Sequence, residues 1–252
     1  MEIVDWEERR AIERNRVRVS VLIPLWFVCV LWLIQFLQWT LGVDFGYLGI
    51  APRTFTGLIG IVFAPLIHGS WGHIAGNTIP LLVLGFMLIY FYHLIAYRII
   101  ALIWIFDGIG VWLIGRESYH IGASGVIYGM ASFIFFSGLL RRNKQLLAVA
   151  LAVVFVYGSM VWGMFPYLTD ISWEAHLMGF LSGIALAVYY RREGPADDPV
   201  PDWMREGEGE SDSEFGNENS NHNPNQPPFQ QTWSGEIPTF RNPHDHDDVK
   251  RD

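Results

Sequence analysis

Six stretches of this chain are apolar enough, for long enough, to leave few alternatives to a helical membrane protein. A helix takes roughly 20 apolar residues to cross ~30 Å of hydrocarbon. Runs of that kind lie around 20–41, 71–91, 94–114, 120–140, 146–165 and 172–190. The 252 residues are 51% hydrophobic despite a long polar tail, so the apolar residues are concentrated rather than spread. A further apolar run, about 55–69, is broken by glycines and Pro65, and at that length a re-entrant or interfacial segment is expected. The expected fold class is an all-α membrane protein, a six-transmembrane-helix bundle.

Lysine and arginine orient the bundle. Arg9, Arg10, Arg14, Arg16 and Arg18 precede the first span, Arg98 follows the second, Arg141, Arg142 and Lys144 follow the fourth, and Arg191 and Arg192 close the sixth. Only Arg53 and Arg116 fall on the other side. The positive-inside rule then puts both termini in the cytoplasm. The N-terminus mixes acid and base and lacks the look of an organellar presequence, so a plasma or inner membrane is expected.

The chain divides into a cytoplasmic N-terminal segment (1–19), a six-helix membrane domain (20–192) and an acidic tail (193–252). The net charge of −8 belongs mostly to that tail, which is rich in Gly, Pro, Asn and acid, and a disordered cytoplasmic segment is expected there. His244 and His246 are the pair within it that invites metal binding, but solvated chain is the expectation and no metal site is assigned. The sole cysteine, Cys29, lies inside the first span and suggests no thiol chemistry.

Polar residues inside the spans carry the functional signal. With the N-terminus inside, spans two, four and six all run inward from the outer face. His73 and Asn77 fall in the first turns of span two, Ser124 about four residues into span four, and His176 about four residues into span six. At 1.5 Å per residue, Ser124 and His176 are expected level with each other, ~6 Å below their helix starts. His73 and Asn77, at i and i+4, share a helix face. Ionisable residues within a membrane face a bundle interior or a water-filled cavity and are functional candidates by default.

Gly125 and Gly129 form GxxxG beside Ser124, and Gly179 and Gly183 form another one turn after His176. Such spacing lets helix backbones approach closely. A serine hydroxyl is a poor nucleophile until a base takes its proton, and a neutral imidazole suits that work. Donors for a developing oxyanion would come from backbone N–H groups at a helix start, helped by His73 and Asn77. Gly122 would let a substrate backbone come near.

"HGSWGHIAGN" with His73 and Asn77, "GASG" with Ser124, and "EAHLMGFLSG" with His176 together resemble the rhomboid intramembrane serine proteases, over roughly residues 20–190. The resemblance implies a rhomboid-like bundle and a catalytic dyad of Ser124 and His176 without an acid. It implies that His73 and Asn77 bind the oxyanion with the Ser124 N–H, and that Tyr128 packs under His176. It implies a serine-type endopeptidase that cleaves transmembrane protein substrates within or near their spans, in the lipid bilayer, with no cofactor and no nucleic acid. One departure stands out: many rhomboids carry a Trp-Arg pair in the first outer loop, and that place here reads Ile59-Gly60.

Four further polar residues lie near these in the sequence. Asp107 lies in span three at a depth not far from the dyad, and a third, acidic member is set against a cavity-facing carboxylate. Glu174 and His120 are expected to be wet flanks at the interface. His68, five residues before His73, is a candidate support for its geometry. Two rival functions are a non-catalytic rhomboid-like protein that binds membrane proteins, and a small transporter. The first typically lacks the serine or the histidine; the second would spread polar residues through the bilayer depth, where the inner halves of spans two, four and six are almost wholly apolar.

Overall fold

The structure, a computed structural model, describes residues 6–141, 143–166 and 171–195. Arg142 and the tail from residue 196 on, with His244 and His246, lie outside the described residues. Among the described residues the secondary structure is helical, without strands, and one antiparallel bridge joins Ile50 to His120.

Among the described residues six long helices follow in order: α1 (Trp6–Leu41), α2 (Trp71–Phe91), α3 (Ala96–Ile114), α4 (Ser124–Leu140), α5 (Lys144–Tyr157) and α6 (Trp173–Tyr189). Tight 3-10 turns, Gly158–Met164, extend α5 to an apolar rod of 21 residues. That rod, α1, α2 and α3 are long and apolar enough to cross a membrane. The helices α4 and α6 have 17 residues each, ~26 Å of helix, which is short of a typical hydrocarbon core. Large apolar side chains on the outside, such as Phe155 at 91% and Trp26 at 69% exposure, fit a surface that meets lipid rather than water.

The centre belongs to α4. Most of its residues are buried, among them Ile127, Met130, Phe133 and Ile134, and they pack on Ile99 and Ile103 of α3 and on Leu84 and Leu88 of α2. A helix apolar all round is a core helix. Its closest neighbour is α6. A side chain on Gly179 would occupy the carbonyl of Gly125, and one on Gly183 would run into the carbonyl of Gly129 and the hydroxyl of Ser132. The two GxxxG motifs therefore lie against each other, and Ser132 Oγ donates across the seam to the Phe180 carbonyl at 2.9 Å.

One expectation fails at the start of α4. A span from residue 120 would place Ser124 a full turn inside the helix, whereas Ser124 is its first residue. His120 is drawn into the bridge with Ile50, and Gly122 takes φ +106°, a left-handed conformation that no helix continues through. Residues 115–123 are thus a loop that delivers Ser124, while His176 is the fourth residue of α6 as expected.

The stretch between α1 and α2 folds as short turns, Phe45–Leu48, Thr56–Ile59, Gly60–Phe63 and Ala64–Leu66, with Phe55 90% exposed at its tip. Gly60 lies on the backbone of Gly49 and Ile50, so no side chain fits there. Arg53 fastens this stretch instead, donating to the Gly115 carbonyl at 2.7 Å.

Candidate active site

The start of α4 and the first turn of α6 meet at Ser124 and His176. His176 Nε2 lies 2.8 Å from Ser124 Oγ, and His176 Nδ1 lies 2.8 Å from the Gly163 carbonyl. A carbonyl only accepts, so Nδ1 carries the ring proton and Nε2 presents its lone pair to the hydroxyl. That is the tautomer a general base for the serine requires.

The imidazole is held from below as well. Tyr128, one turn along α4 from Ser124, stacks on it with ring centroids 4.2 Å apart and planes 8° from parallel. The Tyr128 hydroxyl in turn donates to the Met160 carbonyl at 2.6 Å. Gly163 and Met160 both come from the 3-10 turns after α5, so a third element fixes the ring. A side chain on Gly163 would strike the Tyr128 hydroxyl.

The other side is built by α2. Ser70 caps it, its hydroxyl oxygen accepting the His73 N–H at 3.1 Å. The His73 ring edge sits on Gly122, where a side-chain carbon would come 2.6 Å from Cε1 and 2.7 Å from Nε2. Gly122 also donates its N–H to the Ala64 carbonyl at 2.8 Å, which holds the loop beside that ring. Asn77 is buried, and its Nδ2 donates to His68 Nε2 at 2.9 Å. An amide NH₂ has two hydrogens, so the second is left for another acceptor.

His68, a candidate support from sequence, is thus a direct partner of Asn77. Its ring meets that of His73 edge-on at 4.9 Å, and its carbonyl accepts from Gln38 at 3.2 Å. Burial, with His73 beside it, lowers its pKa to about 4, so it stays a neutral acceptor near neutrality.

Asp107 does not reach the imidazole's outer nitrogen, which Gly163 already holds. Its carboxylate lies against Gly125 in the first turn of α4, and Oδ1 has no hydrogen-bond partner. Glu174 and His120 are not wet flanks: they are 1% and 3% exposed. Glu174 Oε1 accepts the Arg116 backbone N–H at 3.3 Å, and His120 Nδ1 lies 2.6 Å from Ser172 Oγ. Among the described residues no three or more His, Cys, Asp or Glu are grouped to hold a metal ion.

Gly163, Met160 and Ser172 are the site members that sequence reasoning missed. The first two act through backbone carbonyls, which no side-chain pattern marks. Ser172 had a signal: it stands three residues before Ala175 at a helix start, where an N-cap is expected.

A family model described as the rhomboid domain matches residues 56–193. Uncharacterized proteins of Mycobacterium tuberculosis and Mycobacterium bovis are each 39% identical over 172 residues, covering 65% of this chain and 72% of the relative. An uncharacterized protein of Mycobacterium leprae is 34% identical over 190 residues, covering 71% of this chain and 75% of the relative.

Proposed function

Because the chain belongs to the rhomboid family of membrane proteins, we propose that it is an intramembrane serine endopeptidase that cleaves transmembrane protein substrates within or near their spans. The observation that carries this reading is the 2.8 Å contact between His176 Nε2 and Ser124 Oγ, with the imidazole tautomer set by the Gly163 carbonyl.

In the proposed reaction Ser124 Oγ bonds to the scissile carbonyl carbon as its proton passes to His176 Nε2. The carbonyl oxygen becomes an oxyanion, for which the Ser124 N–H at the start of α4, the second amide hydrogen of Asn77 and the His73 ring are the donors. Collapse breaks the C–N bond, and the proton on Nε2 leaves with the new amine. Water then attacks the acyl-enzyme, gives a proton to Nε2 and releases the new carboxyl, and the proton returns to Ser124. Ser124 is half-buried rather than sealed, which supports entry of water from the outer face. Each proton is accounted for by one serine, one histidine and water, so the reading calls for no cofactor.

The same reading takes all six long helices as spans with both termini cytoplasmic, residues 1–19 and 193–252 flanking a membrane domain of 20–192 in the plasma or inner membrane. Neighbouring helices cover the short α4, and its shortness supports a site near the outer surface rather than at mid-depth.

The test is cleavage of a single-span model substrate by the purified protein and by Ser124→Ala, followed by gel and mass spectrometry, with fluorophosphonate labelling in parallel. Cleavage and labelling that both vanish in the variant are expected. Cleavage that persists in Ser124→Ala, or folded wild-type protein that neither cleaves nor labels, overturns the reading.

A further inference from the structure

His120 and Ser172 each stand four residues ahead of a dyad member, His120 before Ser124 and Ser172 before His176. They form a second serine–histidine contact with the roles exchanged between the two segments. His120 Nδ1 lies 2.6 Å from Ser172 Oγ, and His120 Nε2 lies 3.1 Å from the Arg116 carbonyl. The carbonyl only accepts, so Nε2 carries the proton, and the Ser172 hydroxyl donates to Nδ1. The same Ser172 oxygen accepts the Ala175 N–H at 3.3 Å. One hydroxyl therefore starts α6 with its lone pair and ties α6 to the 115–123 loop with its proton.

A second tie runs beside the first. Arg116 Nη2 donates to the Ile171 carbonyl at 2.6 Å, and its Nε lies 3.7 Å from Glu174 Oε1. Ser118 Oγ stands 3.5 Å from His120 Nε2. Burying an imidazole and a carboxylate this deeply is costly unless hydrogen bonds satisfy them; Glu174 Oε2 has no partner among the described residues, and the bonds that do form hold something in place. What they hold is the loop that ends in Ser124 against the turn that carries His176. On the other side of the dyad, the Gly125–Gly179 contact brings the same two helices together. The dyad lies between two fastenings, one of bare backbone and one of hydrogen bonds.

We propose that the His120–Ser172 hydrogen bond, backed by the Arg116–Glu174 pair, is a positioning latch that sets the reach between Ser124 and His176; this rests on the protease reading. Neither residue of the latch is a catalytic residue. Ser172 is no second nucleophile, since its oxygen is engaged by the Ala175 N–H of the α6 backbone. Without the latch the first turn of α6 loses its outer anchor and the imidazole its register, and misplacement by ~1 Å costs about 10²-fold in rate.

The experiment compares wild type with His120→Ala, His120→Asn, Ser172→Ala, Ser172→Thr and the double alanine variant in detergent, each well below its melting temperature. It reads kcat, KM and the rate of fluorophosphonate labelling of Ser124. Each single alanine is expected to lower kcat and labelling about ten- to a hundredfold with KM little changed. The double variant should be no worse than either single, because the pair acts as a unit. Asparagine, which keeps an acceptor near the Nδ1 position, and threonine, which keeps the hydroxyl, should restore most of the rate.

Wild-type kcat in the single variants overturns the latch. So do losses that multiply in the double variant, since Ser172 would then act through its cap alone. Should His120→Ala not fold, Ser172→Ala against Ser172→Thr, and His120→Asn alone and combined with Ser172→Ala, carry the comparison. Ser124→Ala in the same assay separates the two readings: the latch alone falls if Ser124→Ala is dead and the latch variants keep full kcat. Both fall if wild type neither cleaves nor labels.

Discussion

Gly179 and Gly125 touch so closely that a methyl group on the first would occupy the carbonyl oxygen of the second. Nothing smaller than glycine exists, so this contact fixes how near α6 comes to α4, and through it how near His176 comes to Ser124. Gly179→Ala is expected to push the helices apart. Overpacking of this kind costs about 1–3 kcal/mol, so a lower melting temperature and a large fall in cleavage should appear together. Gly76→Ala is the control, because its methyl would meet nothing within 4 Å; its melting temperature should hold or rise. Equal melting and equal cleavage for Gly179→Ala and wild type would show that the seam tolerates expansion.

Asp107→Ala should turn over substrate within a few-fold of wild type. The imidazole nitrogen that an orienting acid would hold is occupied by Gly163, and the Asp107 carboxylate lies on Gly125. A loss approaching 10⁴-fold, the scale seen when the orienting acid of a triad is neutralised, would place Asp107 in the mechanism.

Sequence alone suffices to bring Ser124 near His176, because two GxxxG motifs beside two polar residues on apolar helices leave few other ways to pack. It does not suffice for the contacts that hold His176 in place. Gly163 and Met160 contribute only carbonyl oxygens, and every residue has one. The late start of α4 is hidden for a related reason: "HIGASGVIYGM" reads as helix until Gly122 is known to take a left-handed conformation. Hydropathy also misplaces His120 and Glu174, since it judges polar residues near a span's end as wet without knowing that His120 bonds to Ser172 and Glu174 to Arg116. Among the described residues four of the six expected runs form helices of spanning length, and α4 is short because Gly122 stops it before Ser124.

His68 links the site to pH. Its pKa falls to about 4 in the folded protein through burial and the neighbouring His73, against an ordinary value near 6.5. Between those values the unfolded chain binds the proton and the folded one does not, so stability is greatest above pH ~6.5 and declines as pH drops towards ~4. The full loss attributable to this group is roughly 3 kcal/mol. Melting in detergent across that range should follow this slope, and His68→Gln should flatten it. Glutamine also keeps an acceptor for Asn77, so it should retain most activity where His68→Ala loses it. A slope unchanged in His68→Gln would assign the acid sensitivity to another group.

Tyr128 offers the last test, because its two contributions can be separated. The ring lies flat under His176, and the hydroxyl holds the Met160 carbonyl. A net hydrogen bond is worth ~1 kcal/mol, and a ring stack ~0.5–1.5 kcal/mol beyond the area it buries. Tyr128→Phe removes only the first, leaves the ring in place, and should cost about five-fold in kcat/KM by the usual conversion. Tyr128→Ala removes both and opens a space beneath the imidazole, so the ring can drop away from Ser124; its loss should exceed that of phenylalanine by at least tenfold. Equal losses would mean that the hydroxyl, by fixing the Gly158–Met164 turns, matters more than the ring. In that case Gly163→Ala, whose methyl strikes the same hydroxyl, should reproduce the phenotype of Tyr128→Phe.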